Sequence, residues 1–515
     1  MKQHSFTTRL KSLAIVFGIA MVFASCANEN VAQNPTNPNE DNDKNLTTFV
    51  AGDETKTRTS MDYNSGNFYW EAGDYIYVKD DDGVLKKSTN APTSKVASFK
   101  YKVPGKFTGN SYKVYYLGKN SGGNTVTISA IQTQTKPDNT EHFGTAGDYG
   151  TATATKVTGK QQFKFELEHQ PAYLVFQPYT SNTILHNCYL TKVEVTSDND
   201  IAETYTVNTS TDNLDASAGS KQIVLTTSGS SNPNGFPLTN SSASVTTNGA
   251  YMVIKPGTHI LRVRYWIKDV ATYVEGTITK TLPSTAYVSN TYYDMTANLN
   301  VKDYDGDHYY MWDAQDQYWK GHEWNLGGSQ PTLGTQPASS DYPKSGDTRY
   351  YNNSFPGGGV SNPATHISFS NVPNINEISW YCTYGDPRWD GDELWTTMGH
   401  LYKGGMWFKK KASISGYNKN TAINGIDWRI NGGIGSWPIS HTLPSASDAG
   451  NFFYLPALGN YASGQLTNVG ISGHYWTSSA NTWNSNDAYY LFFNSGGVNL
   501  YSTSRPYGFR AETLQ

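Results

Sequence analysis

The residues able to do chemistry are few, and they fall in a handful of places. Cys26 closes an apolar run at Phe23-Ala24-Ser25, where a thiol can carry a lipid anchor. Asp386-Pro387-Arg388-Trp389-Asp390-Gly391-Asp392-Glu393 gathers four carboxylates beside a tryptophan. Paired carboxylates can hydrolyse a glycosidic bond, and an indole face can stack on a sugar. Acids also favour the start of a helix, and that reading accounts for Asp390, Asp392 and Glu393 without catalysis. Asp303, Asp305 and Asp307 stand at alternate positions like a fragment of a calcium loop, but no bidentate Glu follows at the expected spacing, so a solvated turn is preferred. The 11 His are scattered without a His-Glu-x-x-His pair, and neither a Gly-x-Ser-x-Gly elbow nor a phosphate-binding Gly loop occurs. A catalytic nucleophile, a metal site and a cofactor are therefore not expected, and the chain does not read as an enzyme. Three rings set in Asp/Asn/Ser/Gly-rich stretches, Trp389, Trp483 and Tyr501, are the candidate ligand-binding residues.

The elements that must position these groups begin with the N-terminus. Lys2, Arg9 and Lys11 precede the apolar run Leu13–Ala24, which is too short to span a bilayer and suits a signal peptide. Ala24-Ser25-Cys26 resembles the lipobox cut by the lipoprotein signal peptidase, which implies removal of residues 1–25 and a lipid on Cys26. Residues 26–46 are, after Cys26, dominated by Asn, Pro, Asp and Glu and have little apolar surface to bury, so a disordered tether is expected. Charged residues are only 16% and the net charge is −4, which leaves no basic field for nucleic acid. Beyond Cys26 only Cys188 and Cys382 remain, and buried free thiols are preferred over a disulfide.

From about residue 47 the pattern is β. Phe163 and Phe165 alternate with Lys164 and Glu166, and Leu261, Val263, Tyr265 and Ile267 alternate with charged residues or Trp266. Tyr173-Leu174-Val175-Phe176 is apolar throughout and reads as a central strand. Near residue 300 the composition shifts, with 11 of the 13 Trp beyond it. A helix is expected from Asp390, with Leu394, Met398 and Leu401 as its stripe and Gly404-Gly405 as its stop. The last third thus reads as loop-rich α+β.

Two segments resemble known families. Thr57-Arg58-Thr59 followed by Phe68–Val78, then Leu167–Phe176, Tyr251–Gly257 and Tyr292–Asn298, is similar to the ordered motifs of fimbrillins, the lipoprotein-derived pilins of anaerobic Gram-negative bacteria. The resemblance implies two tandem β-sandwich domains of transthyretin-like type, 47–175 and 176–300. It also implies cleavage after a basic residue, loss of an N-terminal strand, and uptake of a neighbour's strand in its place. Arg58 is the candidate cut site; the alternative is a solvated Arg in a flexible leader. Further on, Phe453–Gly459, Gly470–Ser479, Ala488–Phe493 and Tyr507–Arg510 are similar to the motif series of C-type-lectin-like domains in bacterial surface proteins, which implies such a fold within 301–515. The calcium-dependent sugar motifs of animal lectins are absent. The expected whole is a mainly β surface lipoprotein of the outer membrane and fimbrium. Its expected partners are other fimbrial subunits, a surface glycan or protein, and the membrane through its lipid.

Overall fold

The computed structural model describes every residue except 1, 6–44, 53–59, 64–67, 120, 231, 334–336 and 354–363. Cys26 and Arg58 lie outside the described residues. The chain is mainly β and divides into two compact units, Met1–Val270 with Lys280–Asn300, and Ala271–Thr279 with Val301–Gln515.

In the first unit the strands used below are β1 (Lys2–Ser5), β2 (Leu46–Ala51), β3 (Ile76–Lys79), β4 (Leu85–Lys87), β5 (Phe99–Pro104), β6 (Ser111–Tyr116), β7 (Ile131–Thr133), β8 (Gly150–Lys156), β9 (Gln162–Phe165), β10 (Ala172–Tyr179), β11 (Cys188–Ser197), β12 (Gln222–Thr226), β13 (Ala250–Ile254), β14 (Gly257–Asp269) and β15 (Thr291–Asn298). One sheet runs β4-β3-β6-β8-β9-β2-β5. Its inward residues, among them Phe49, Val78, Tyr101, Val114, Ala154 and Phe163, form one core. Inward and outward side chains alternate along β9, as its sequence pattern requires. A second sheet runs β1-β15-β10-β13, and a third carries β7-β12-β11-β14. The apolar run Tyr173–Phe176 sits in β10, buried on both faces between β15 and β13. The expected boundary between 175 and 176 falls inside this strand.

The second unit contains α1 (Ile375–Tyr384), β16 (Arg388–Thr397), β17 (His400–Lys409), β18 (Phe452–Pro456), β19 (Ser472–Ala480), β20 (Asp487–Asn494), β21 (Gly497–Ser504) and β22 (Phe509–Arg510). The helix expected from Asp390 is not there. Residues 388–409 form the hairpin β16–β17, closed at Met398 and Gly399 with φ of 47° and 77°. Two consecutive positive φ values give the turn whose twist matches a hairpin. Strand pairing sets Trp395 opposite Tyr402 with rings 5.8 Å apart, a contact no helix offers those positions. The described helix longer than one turn is α1, and a capping box starts it. Asn374 accepts from the Asn376 and Glu377 amides while Glu377 accepts from the Asn374 amide.

β19, β20 and β21 form an antiparallel meander, with β22 beside β19. Tyr475, Leu491, Phe493, Val498 and Leu500 face the core of the unit. Cys188 and Cys382 are both free and buried. Burial, with the Asp269 charge, pushes the Cys188 thiol up to about 12.

His474 on β19 packs among aromatic rings, 4.9 Å from Phe509 and 5.1 Å from Phe492. Burial lowers its pKa from 6.5 to about 4, so the folded unit holds the neutral ring. The stability tied to that neutral state is complete above the unfolded value and is lost as pH falls from about 6.5 towards 4. His474→Phe removes the titrating group. Calorimetry at pH 4.5 and 7.5 is expected to show a smaller acid loss of melting temperature in the variant, by several degrees (about 1–2 kcal/mol). An unchanged pH dependence would show that other groups drive acid unfolding.

Candidate functional site

β2 is the last strand before Arg58 in the chain. It lies between β9, to which it runs parallel, and β5, to which it runs antiparallel, so both of its backbone edges are paired. Thr47, Phe49 and Ala51 point inward and are buried, while Leu46, Thr48 and Val50 are half-buried on the other face. Phe49 is the anchor. Its ring stacks on Phe163 at 5.0 Å and meets Phe107 edge-on at 5.1 Å. Past Ala51, the Gly52 amide donates to the Phe165 carbonyl at 3.1 Å.

Arg58 therefore stands in the segment between β2 and the rest of its sheet, on the C-terminal side of the strand. A cut there leaves β2 held by pairing and packing alone. Its loss opens a slot one strand wide, with β9 and β5 about 10 Å apart and two rows of unpaired backbone groups. The short alternation Thr47-Thr48-Phe49-Val50-Ala51 was the available sequence signal. It did not show that this strand is central.

The three candidate rings are not one site. Trp483 is 69% exposed and lies in the β19–β20 connection. Asn481 Oδ1 accepts from the Trp483 amide at 2.8 Å and the Asn484 amide at 3.1 Å, which fixes the loop. The indole lies against Gly432, where a Cβ would stand 2.5 Å from the ring; with φ at +70° the position needs glycine on both counts. Tyr501 on β21 is half-buried, and its hydroxyl hydrogen-bonds the Ser436 hydroxyl at 2.8 Å. Trp483 and Tyr501 thus brace the same segment, 432–436. Trp389 sits on β16, half-buried against the core, and its amide donates to the Ser440 carbonyl. Sequence reasoning missed Ile430 and Ile434, which are 46% and 61% exposed beside Gly432. The Gly432-Gly433-Ile434-Gly435 run was their signal, an isoleucine among residues that cannot cover it.

The carboxylates near Trp389 are engaged in structure. Asp390 is buried and accepts from the Trp407 indole at 3.1 Å. Glu393 accepts from the Thr277 hydroxyl at 3.0 Å and from the Thr279 amide and hydroxyl. Asp386 pairs with Arg388, and Asp392 with Lys403. In the Asp303–Asp307 stretch, Asp303 accepts from Thr396 and Asp305 pairs with His308. Among the described residues no group of three or more His, Cys, Asp or Glu side chains could hold a metal ion, and no helix is long and apolar enough to cross a membrane.

No protein-family model matches the chain, and no curated protein matches it. Among solved structures it is similar to a candidate cell adhesion protein of Bacteroides ovatus ATCC 8483, with 14% identity over 49% of this chain and 93% of that one and a TM-score of 0.29. It is similar to the fimbrial anchor protein Mfa2 of Porphyromonas gingivalis, with 12% identity over 46% of this chain and 82% of that one and a TM-score of 0.22. It is also similar to a fimbrial protein of Bacteroides ovatus ATCC 8483, with 10% identity over 90% of this chain and 98% of that one and a TM-score of 0.22.

Proposed function

We propose that this chain is a cell-surface fimbrial subunit at the tip or in an accessory position, exported as a lipoprotein through Cys26. Cleavage after Arg58 releases β2, and a neighbouring subunit's strand takes its slot. One observation carries the reading: a strand paired on both edges and anchored by a fully buried Phe49 lies wholly on the N-terminal side of Arg58. Edge pairing restores the backbone bonds, and an apolar side chain in the Phe49 position restores the packing. A tip position is supported by residues 509–515, which are engaged in the second unit. β22 lies in a sheet of the second unit, Leu514 is buried, and the Gln515 carbonyl accepts from the Tyr381 hydroxyl at 2.7 Å. That segment is folded in place and is not held out as a donor.

The test is limited cleavage with an Arg-specific protease followed by addition of a stalk-pilin donor peptide. Release of residues 26–58 and formation of a heat-stable complex are expected. Failure of the trimmed protein to take up any donor strand sinks the fimbrial reading. An intact acylated Cys26 as the cellular N-terminus would instead favour an anchored, non-polymerising glycan binder.

The exposed ring beside Ile430 and Ile434 is the proposed adhesive contact in the second unit. Trp483→Ala is expected to leave melting within about 0.5 kcal/mol, because the ring is exposed. Binding to a glycan array or host-matrix coat is expected to fall about 30-fold or more, the loss of an aromatic hot spot worth about 2 kcal/mol. Unchanged binding by the variant moves the contact elsewhere.

A further inference from the structure

The second sheet of the first unit treats its two edges differently. The β13 edge is closed by side chains that imitate a strand. Gln132 Oε1 accepts from the Val253 amide at 3.0 Å, and its Nε2 donates to the Val253 carbonyl at 2.7 Å. Gln134 Oε1 accepts from the Tyr251 amide at 2.7 Å, and its Nε2 donates to the Gly249 carbonyl at 2.9 Å. Both glutamines are buried, so this edge is capped permanently.

The β15 edge is filled in another way. A separate piece of chain occupies it: β1 pairs antiparallel with β15 from Lys2 opposite Asp294 to Ser5 opposite Thr291. Side chains of Thr291, Tyr292, Tyr293, Asp294 and Met295 are all buried. Successive side chains of a strand point to opposite faces, so protein covers β15 above and below. A single extended segment, β1, is what fills this edge here.

We infer that the outer edge of β15 at Thr291–Asp294 is a second strand-acceptor site, which takes an extended, unfolded segment of another polypeptide in antiparallel register once residues 1–25 have been removed. Recognition is by backbone, since the seated segment Lys2-Gln3-His4-Ser5 carries no apolar side chain. This site is on a different sheet from the β2 slot, and it is tested with β2 in place and the chain uncut, so the two ideas fail separately.

The probe is a synthetic peptide of residues 1–10, added to protein that begins at residue 26 with Cys26→Ser. Hydrogen exchange is followed at Thr291–Asp294, with Tyr251 and Val253 as the capped reference. Without peptide the β15 amides that face outward are expected to exchange about tenfold or more faster than the reference, and peptide is expected to slow them by a similar factor. A shuffled peptide should protect equally, and peptides N-methylated at alternate residues should not. Slow exchange without peptide, absence of protection with it, or protection that survives N-methylation in both alternations overturns the proposal. So does a dimer whose formation alone protects the edge, since a second copy would then be the occupant.

Discussion

Phe49→Ala will destabilise the first unit by about 3–5 kcal/mol, the range for removing a fully buried phenylalanine and leaving its cavity. The surroundings cannot collapse easily. Phe163 and Phe107 touch the ring on two sides, and each belongs to the packed core of the same sheet. β2 is paired to β9 and β5, so its backbone cannot shift inward to fill the void. Denaturant melts check the value, with Thr48→Ala, on the half-buried face, as a control expected near zero change. The same substitution has a second consequence after cleavage at Arg58. A peptide of residues 44–52 then rebinds its slot as a ligand, and losing about 3–5 kcal/mol weakens it by about a hundred- to several-thousand-fold. Calorimetric titration of trimmed protein with both peptides measures that ratio. Equal binding of the two would mean that the slot is recognised by backbone alone and that Phe49 is no anchor.

The second unit has its own critical group at Arg510. The side chain is 2% exposed. One nitrogen donates to the Asp305 carbonyl at 2.8 Å, another donates to Glu512, and the guanidinium lies 5.0 Å over the Tyr309 ring. Burial works against its charge, but Glu512, Tyr309 and Asp305 outweigh burial and hold its pKa above the ordinary arginine value. Arg510→Ala removes all three contacts and leaves Glu512 and a carbonyl unpaired. The expected cost is about 3–5 kcal/mol, that of breaking a buried pair from one side. Arg510→Lys should recover little, because a single ammonium cannot reach the carbonyl and the carboxylate with the fork of a guanidinium. Thermal melts of both variants check this. A loss under about 1 kcal/mol for the alanine would show that the pair contributes nothing net.

The strands with strict alternation were legible in the sequence. Phe163 and Phe165 lie inward on β9, and the Tyr173–Phe176 run is central in its sheet. Leu394, Met398 and Leu401 misled, because residues four and three apart suit a helix and the same positions also suit the two arms of a hairpin. The decision fell to Met398 and Gly399 in the turn. The helix that starts at Asn374 and Glu377 was not legible, because it carries Ser, Thr and Asn among its apolar residues. Of the candidate site residues, Trp483 is the exposed ring, Tyr501 is tied to Ser436, and Trp389 is packed on the core.

The sequence by itself determined the strictly alternating strands, such as β9, and which of their side chains turn inward, because alternation is written residue by residue. Only the tertiary structure decided that β2 lies in the middle of its sheet and which strands flank it. Pairing joins residues as far apart as Phe49 and Phe163, or Gln132 and Val253, and no local pattern carries that information. Exposure is decided the same way. Trp483 is exposed with its ring against Gly432, a residue far from it in the chain, and β2 is central because β9 and β5 flank it.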